Sequence, residues 1–365
     1  MTPPFDFTAR IGRARSEMEA RGVDVLLLSL GMDLVYLSGY EAPPLERLTM
    51  LVIPVDEEAT LVVPELEAPK VVPRLEAFSM RPWSETEDPV GIVAALAGSP
   101  GRAAIGDQTW SLFVLALQER MGKTRFVSAQ HISSALRLHK TDREIDLLRA
   151  AGKGADCVAA RLGDMRLSGL VEADLARLIA AMLVEEGHEM AGMAIVASGP
   201  NGASPHHHAG ERVIEQGDAV VIDFGGTYGG YHSDTTRMFY VGRPNDEMAE
   251  VHAIVHASQQ AGFAAATVGT PAEDVDRVAR AVIADAGYGE YFIHRTGHGI
   301  GLDVHEDPYL VEGNARRLEP GMAFSIEPGI YFPGRFGVRI EDIVVMLPDG
   351  PERLNESSRE PVVVA

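Results

Sequence analysis

The chain has 365 residues, 46% hydrophobic and 23% charged, ordinary proportions for a globular protein long enough to build two cored domains. A formal charge of −21 denies it the basic face that phosphate backbones require, so nucleic acid is not expected as a partner. One cysteine, Cys157, excludes an internal disulfide and a multi-cysteine metal site, and no apolar stretch is long enough to span a membrane.

The opening Met1–Phe7 has no basic region leading into an apolar run, so no signal peptide is read there and the cytoplasm is the expected compartment. Residues 8 to 21 predict an amphipathic helix through Ile11, Arg15 and Met18, closed by Gly22. The apolar run 25 to 30 predicts a buried strand, followed by strands at 48–53 and 60–63 around a turn at 54–58. Helices near 89–97 and 111–121 flank a short strand at 103–106. This alternation describes a compact α/β domain over residues 1–137.

From residue 138 the pattern changes. Thr141 or Asp142 caps a long helix, with Glu144 near the capping-box position, and a second helix covers 171–186 and stops at Gly187. Cys157 falls in the first of these helices and reads as a small buried hydrophobe. Strands then dominate at 192–197, 219–224, 232–240, 322–331 and 336–346, interrupted by helices at about 245–266 and 271–286. All the chemistry falls in this second domain, residues 138–365, which is α+β in content.

Asp223 ends an apolar run, and Asp234 follows a Gly229-Gly230 turn. Either aspartate alone is best read as a turn former or cap. As a pair on a hairpin they would meet, and one carboxylate can bridge two ions. His294 and His298 are four residues apart, but Arg295 stands where a zinc-protease helix needs glutamate, and Gly297, Gly299 and Gly301 oppose a helix there. Glu327 precedes Pro328-Gly329, and Glu341 lies two residues after Arg339, on the same face of a strand. An Arg339–Glu341 pair is the simple expectation for that face. The other is that Glu341 binds metal while Arg339 orients neighbouring carboxylates. Four carboxylates and an imidazole in apolar surroundings suit a pair of divalent cations, with manganese, cobalt, iron or zinc as compatible ions.

These residues resemble the pita-bread metallopeptidases, in the branch of Xaa-Pro dipeptidase (prolidase) and aminopeptidase P. The likeness runs through Ser198-Gly199-Pro200-Asn201, Pro205-His206, Val221-Ile222-Asp223, Ser233-Asp234-Thr235, the His298 segment, Ile326-Glu327-Pro328-Gly329 and Arg339-Ile340-Glu341-Asp342. It implies an α/β creatinase-like N-terminal domain before an α+β pita-bread catalytic domain, and a homodimer. It also implies two metal ions, manganese first among them, held by Asp223, Asp234, His298, Glu327 and Glu341.

On this likeness the ions activate water against the carbonyl preceding proline, and Glu327 carries the proton to the leaving nitrogen. His206 and His305 would stabilise the oxyanion or position the peptide, with His294 and Arg339 in support. His207 and His208 match no family position and are expected on the surface. The chain departs from the prolidase pattern at Tyr309, where an arginine usually follows the residue matching His305 to hold a dipeptide carboxylate. Arg47, in the loop Gly39–Arg47, is the candidate replacement. The expected activity is hydrolysis of Xaa-Pro dipeptides. Aminopeptidase P action on longer peptides is the nearest alternative, and a non-enzymatic peptide- or protein-binding member of the fold is the second.

Overall fold

The computed structural model describes residues 5–192 and 194–365. The chain divides into two compact units, Met1–Arg137 and Leu138–Ala365. Residues 1–4 of the opening segment, and Met193 in the strand expected at 192–197, lie outside the described residues; the strand observed there is Ile195–Ser198.

In the first unit, helix Phe7–Ala20 is capped by Asp6, whose side chain accepts from the Ala9 amide at 2.9 Å. Its buried stripe passes through Ile11, Ala14 and Met18. Arg15 is not part of that stripe: its guanidinium reaches the Pro54 carbonyl at 3.3 Å. The four apolar residues Val25–Leu28 form a strand buried throughout, inside a six-stranded mixed sheet. The strand order is Ser79–Trp83, Thr60–Pro64, Met50–Pro54, Val25–Leu28, Arg102–Ile105, Arg125–Ser128. The two edge strands and the helices Met32–Ser38 and Gln130–Leu138 were not expected from the sequence. Edge strands lack the apolar run of a central strand, and Pro82 in the first is tolerated there because one side of it needs no partner.

The second unit opens with helix Asp142–Gly163, and Thr141 and Glu144 form a reciprocal capping box. The Glu144 carboxylate accepts from the Thr141 amide at 2.7 Å, and the Thr141 hydroxyl accepts from the Glu144 amide at 3.4 Å. This helix and Glu172–Glu185 pack on a four-stranded sheet ordered Val362–Val364, Thr235–Val241, Ala219–Phe224, Ile195–Ser198. A five-stranded sheet follows the order Glu306–Leu310, Gly297–Gly299, Ala323–Ile326, Asp342–Leu347, Gly350–Arg353. Helices Asp246–Ala265 and Ala272–Asp285 supply apolar residues to the clusters on this side of the unit. No described helix is long and apolar enough to cross a membrane.

Three strands expected as continuous are each broken in two. Residues 232–240 divide into Tyr231–His232 and Thr235–Val241, 322–331 into Ala323–Ile326 and Gly329–Phe332, and 336–346 into Phe336–Arg339 and Asp342–Leu347. The chain changes sheet at each break. Ala323–Ile326 pairs with Asp342–Leu347, whereas Gly329–Phe332 pairs with Phe336–Arg339. Pro328, which has no amide to donate, sits at the second break. Asp234, Glu327 and Glu341 stand in the three gaps.

Candidate metal centre and active site

Asp223 lies in strand Ala219–Phe224, directly across the ladder from Thr236. That antiparallel pairing brings the Asp223 carboxyl within hydrogen-bonding reach of Asp234. Donor atoms of Asp234, His298 and Glu341 all lie within 4.8 Å of one another. His298 Nε2 is 3.2 Å from Glu327 Oε1 and 3.8 Å from Asp234 Oδ2. The five expected ligands therefore stand around one point, although 118 positions (341 − 223) separate the outermost two.

His298 occupies the middle of strand Gly297–Gly299, so its four-residue spacing from His294 is not helical. A Cβ on Gly297 would fall 1.9 Å from the Ser325 carbonyl oxygen, and one on Gly299 2.3 Å from Asp307. Only glycine admits neighbouring backbone so close to the ligand. His298 Nδ1 lies 3.0 Å from the Gly299 carbonyl, an acceptor only, so Nδ1 carries the proton and Nε2 turns its lone pair to the carboxylates. Burial pushes this imidazole down to about 4, which keeps it neutral.

The carboxyls shift the opposite way. Burial, then repulsion from Asp223 and Glu327, holds Asp234 well above the ordinary range. Burial and the charges of Asp234 and Glu327 do the same to Glu341, and burial raises Glu327. Arg339 answers part of this charge. Arg339, 3% exposed, sends Nη2 to Asp223 Oδ2 at 2.6 Å, Nε to Thr236 Oγ1 at 3.1 Å, and Nη1 to the Tyr331 hydroxyl and the Pro205 carbonyl. The simple Arg339–Glu341 pair is not what forms. The strand ends between the two residues, Arg339 turns to Asp223, and Glu341 accepts from the Thr236 hydroxyl at 2.7 Å. Four carboxylates, Glu341 buried and the other three partly so, crowd around Arg339; divalent cations would balance their charge, and oxygen donors with one imidazole suit such ions.

The ligands form part of the wall of a cavity of about 720 Å³, together with His206, His294, Arg295, His305 and Arg339. The His305 ring lies 4.0 Å, centroid to centroid, from that of His298. His294 has both ring nitrogens engaged: Nδ1 donates to the Arg295 carbonyl at 2.7 Å, and Nε2 accepts from the Tyr331 hydroxyl at 2.9 Å. His294 thus lines the cavity with both ring nitrogens bound within the protein.

Two other expected residues have partners of their own. Tyr309 is not among the described residues lining the cavity; the Arg295 guanidinium lies 4.4 Å over its ring. Arg47, in the first unit, pairs with Glu46 at 2.6 Å and Glu85 at 2.7 Å. His207 corrects the expectation of a surface role: it is half-buried, lines the cavity, and bonds the fully buried Glu172 at 2.9 Å. His208 lines the same cavity. Arg295, His207 and Thr236 were missed as site residues. Only Arg295 carried a signal, as a cation between two histidines of the motif.

Residues 146–348 match metallopeptidase family M24, and residues 10–139 match the creatinase/prolidase N-terminal domain. The chain belongs to metallopeptidase family M24, with the two-domain pita-bread architecture of its creatinase and prolidase members. Among its relatives is the probable dipeptidase PepE of Mycobacterium tuberculosis, 44% identical over 98% of this chain and 96% of that protein. The Xaa-Pro dipeptidase of Lactobacillus helveticus is 35% identical over 92% of this chain and 94% of its own. The crystal structure of recombinant prolidase from Thermococcus sibiricus superposes with a TM-score of 0.94 at 37% identity, covering 99% of this chain and 100% of that one.

Proposed function

We propose that this metallopeptidase hydrolyses the imide bond preceding proline in Xaa-Pro dipeptides. Asp223, Asp234, His298, Glu327 and Glu341 would hold two divalent ions, manganese being our choice before cobalt, zinc or iron. The carrying observation is the convergence of those five groups on one cavity, with Arg339 as the cation facing their carboxylates. Bound there, divalent ions supply Lewis acidity toward the carbonyl and make water a better nucleophile.

The protein's own groups divide the remaining work. Glu327 receives the proton of the attacking water and delivers it to the imide nitrogen, a poor leaving group until protonated. The Ser325 hydroxyl, 3.0 Å from Glu327 Oε1, fixes that carboxyl in place. His206 and His305, both on the cavity wall, supply hydrogen bonds to the developing oxyanion. Arg339 holds Asp223 and, through Tyr331, His294.

The names of the relatives support the choice of dipeptides over longer peptides. Arg47 is our proposed anchor for the dipeptide carboxylate, with Tyr309 in a lesser role. We place the protein in the cytoplasm as a homodimer, a state that sedimentation would check. The decisive experiment compares Xaa-Pro with Xaa-Pro-Xaa hydrolysis after defined metals are returned to the apoprotein. Preference for the dipeptide with manganese is expected. Preference for the longer peptide would make the enzyme an aminopeptidase P, and hydrolysis of neither would remove the proposal.

A further inference from the structure

His207 stands in the cavity wall without a part in the reaction proposed above. Its Nε2 lies 2.9 Å from Oε2 of Glu172, the first residue of helix Glu172–Glu185, and Glu172 is 0% exposed. The same carboxylate accepts from the Ser198 amide at 2.7 Å, the Ser198 hydroxyl at 2.6 Å and the Asn201 amide nitrogen at 3.0 Å. Burial opposes the charge of Glu172, but the bonds from Ser198, His207 and Asn201 outweigh it and hold the carboxyl below its ordinary range. A buried carboxylate with this many donors is a fixed post, and His207 is tied to it.

What that tie controls is the residue before it. The His207 amide donates to the Ser204 carbonyl at 3.2 Å, closing a turn with Pro205 and His206 at its two central positions. The turn is held at both sides of His206. On the entry side the Pro205 carbonyl accepts from Arg339, the residue that also grips Asp223. On the exit side the His207 ring is bound to Glu172. Between the two anchors His206 faces the cavity that contains the carboxylate cluster.

We propose that His207 is a positioning residue: with Glu172 it clamps the exit of the Ser204–His207 turn and so aims His206 at the reacting carbonyl. This inference rests on the role given to His206 above. Loss of the clamp lets His206 wander, and a displacement near 1 Å costs roughly a hundredfold in rate at most.

The test uses metal-loaded enzyme and an Xaa-Pro dipeptide, with His207→Ala, His207→Gln, His206→Ala and the double alanine variant. His207→Ala is expected to lower kcat by roughly tenfold to a hundredfold with KM little changed, since orientation and not affinity is lost. His207→Gln, whose amide can still donate to Glu172, recovers most of that rate. The double variant is no slower than His206→Ala, because His207 acts through its neighbour. Wild-type kcat in His207→Ala, no rescue by glutamine, or losses that multiply in the double variant would each overturn the clamp. Should the alanine variant fail to fold, His207→Asn, too short to reach Glu172, carries the same expectation.

Nitrogen-15 spectra of histidine-labelled protein separate this inference from the activity itself. The His206 ring signal, identified by its absence in His206→Ala, should move in His207→Ala and return in His207→Gln. If the wild type cleaves no dipeptide, the proposed function fails alone, and this signal still decides the clamp. A His206 signal that stays in place rejects it.

Discussion

Arg339 engages Asp223, Thr236, Tyr331 and Pro205 through its three guanidinium nitrogens. A lysine could occupy only part of that web, because an ammonium is a point charge without the planar fork. Arg339→Lys is therefore expected to weaken manganese binding by about 10- to 100-fold, measured by calorimetry on the apoprotein. Unchanged affinity would mean that Asp223 needs no external orientation. Glu327→Gln is expected to abolish turnover while thermal unfolding of the metal-free protein stays close to wild type. Wild-type turnover would remove Glu327 from proton transfer. Arg47→Ala should raise KM for Xaa-Pro dipeptides and leave longer peptides unaffected; an unchanged KM would exclude it as the carboxylate anchor. The five residues that meet at the cavity were legible in the sequence because each is an acid or histidine inside a recognisable motif. His207 was not, since its meaning depends on Glu172, 35 positions away (207 − 172) and unremarkable in its own segment.

At the scale of elements, three of the expected ligands, Asp234, Glu327 and Glu341, stand where strands break, whereas Asp223 and His298 lie within strands. The expected continuous strands at 322–331 and 336–346 are largely apolar segments, and apolar content alone cannot distinguish one strand from two short strands in different sheets. Pro328 was the one local sign of a break. Central strands such as Val25–Leu28 and Ala219–Phe224 were legible, being buried on both faces. The edge strands Ser79–Trp83 and Arg125–Ser128 were not, because partial exposure erases the pattern. The close backbone approach around His298 gives a direct test. Gly297→Ala places a methyl against the Ser325 carbonyl and is expected to destabilise the protein by about 1–3 kcal/mol in urea unfolding. No loss would show that the strands can separate without cost.

For the whole molecule, the central quantity is the linkage between fold and cation. An ion that binds only the folded chain raises its stability with the logarithm of ion concentration. Adding manganese to chelator-treated protein should therefore raise the melting temperature progressively, and Asp234→Asn together with Glu341→Gln should abolish the rise. A melting temperature indifferent to manganese would argue that the cluster is not a metal site. The α/β and α+β character of the two units was readable from the alternation of elements along the chain. The sheet partners were not, since ladders such as Ile326–Asp342 join segments that no local pattern connects.

The gaps between sheets at Asp234, Glu327 and Glu341 have a mechanical consequence. A cation gripped there would act as a rivet, adding a tie between ladders at the points where their strands break. Withdrawing it should loosen the molecule first at the rivet holes and last in the surrounding helices. Amide exchange in the apoprotein would then quicken around residues 233–235, 326–329 and 340–342 well before it does in helix Asp142–Gly163.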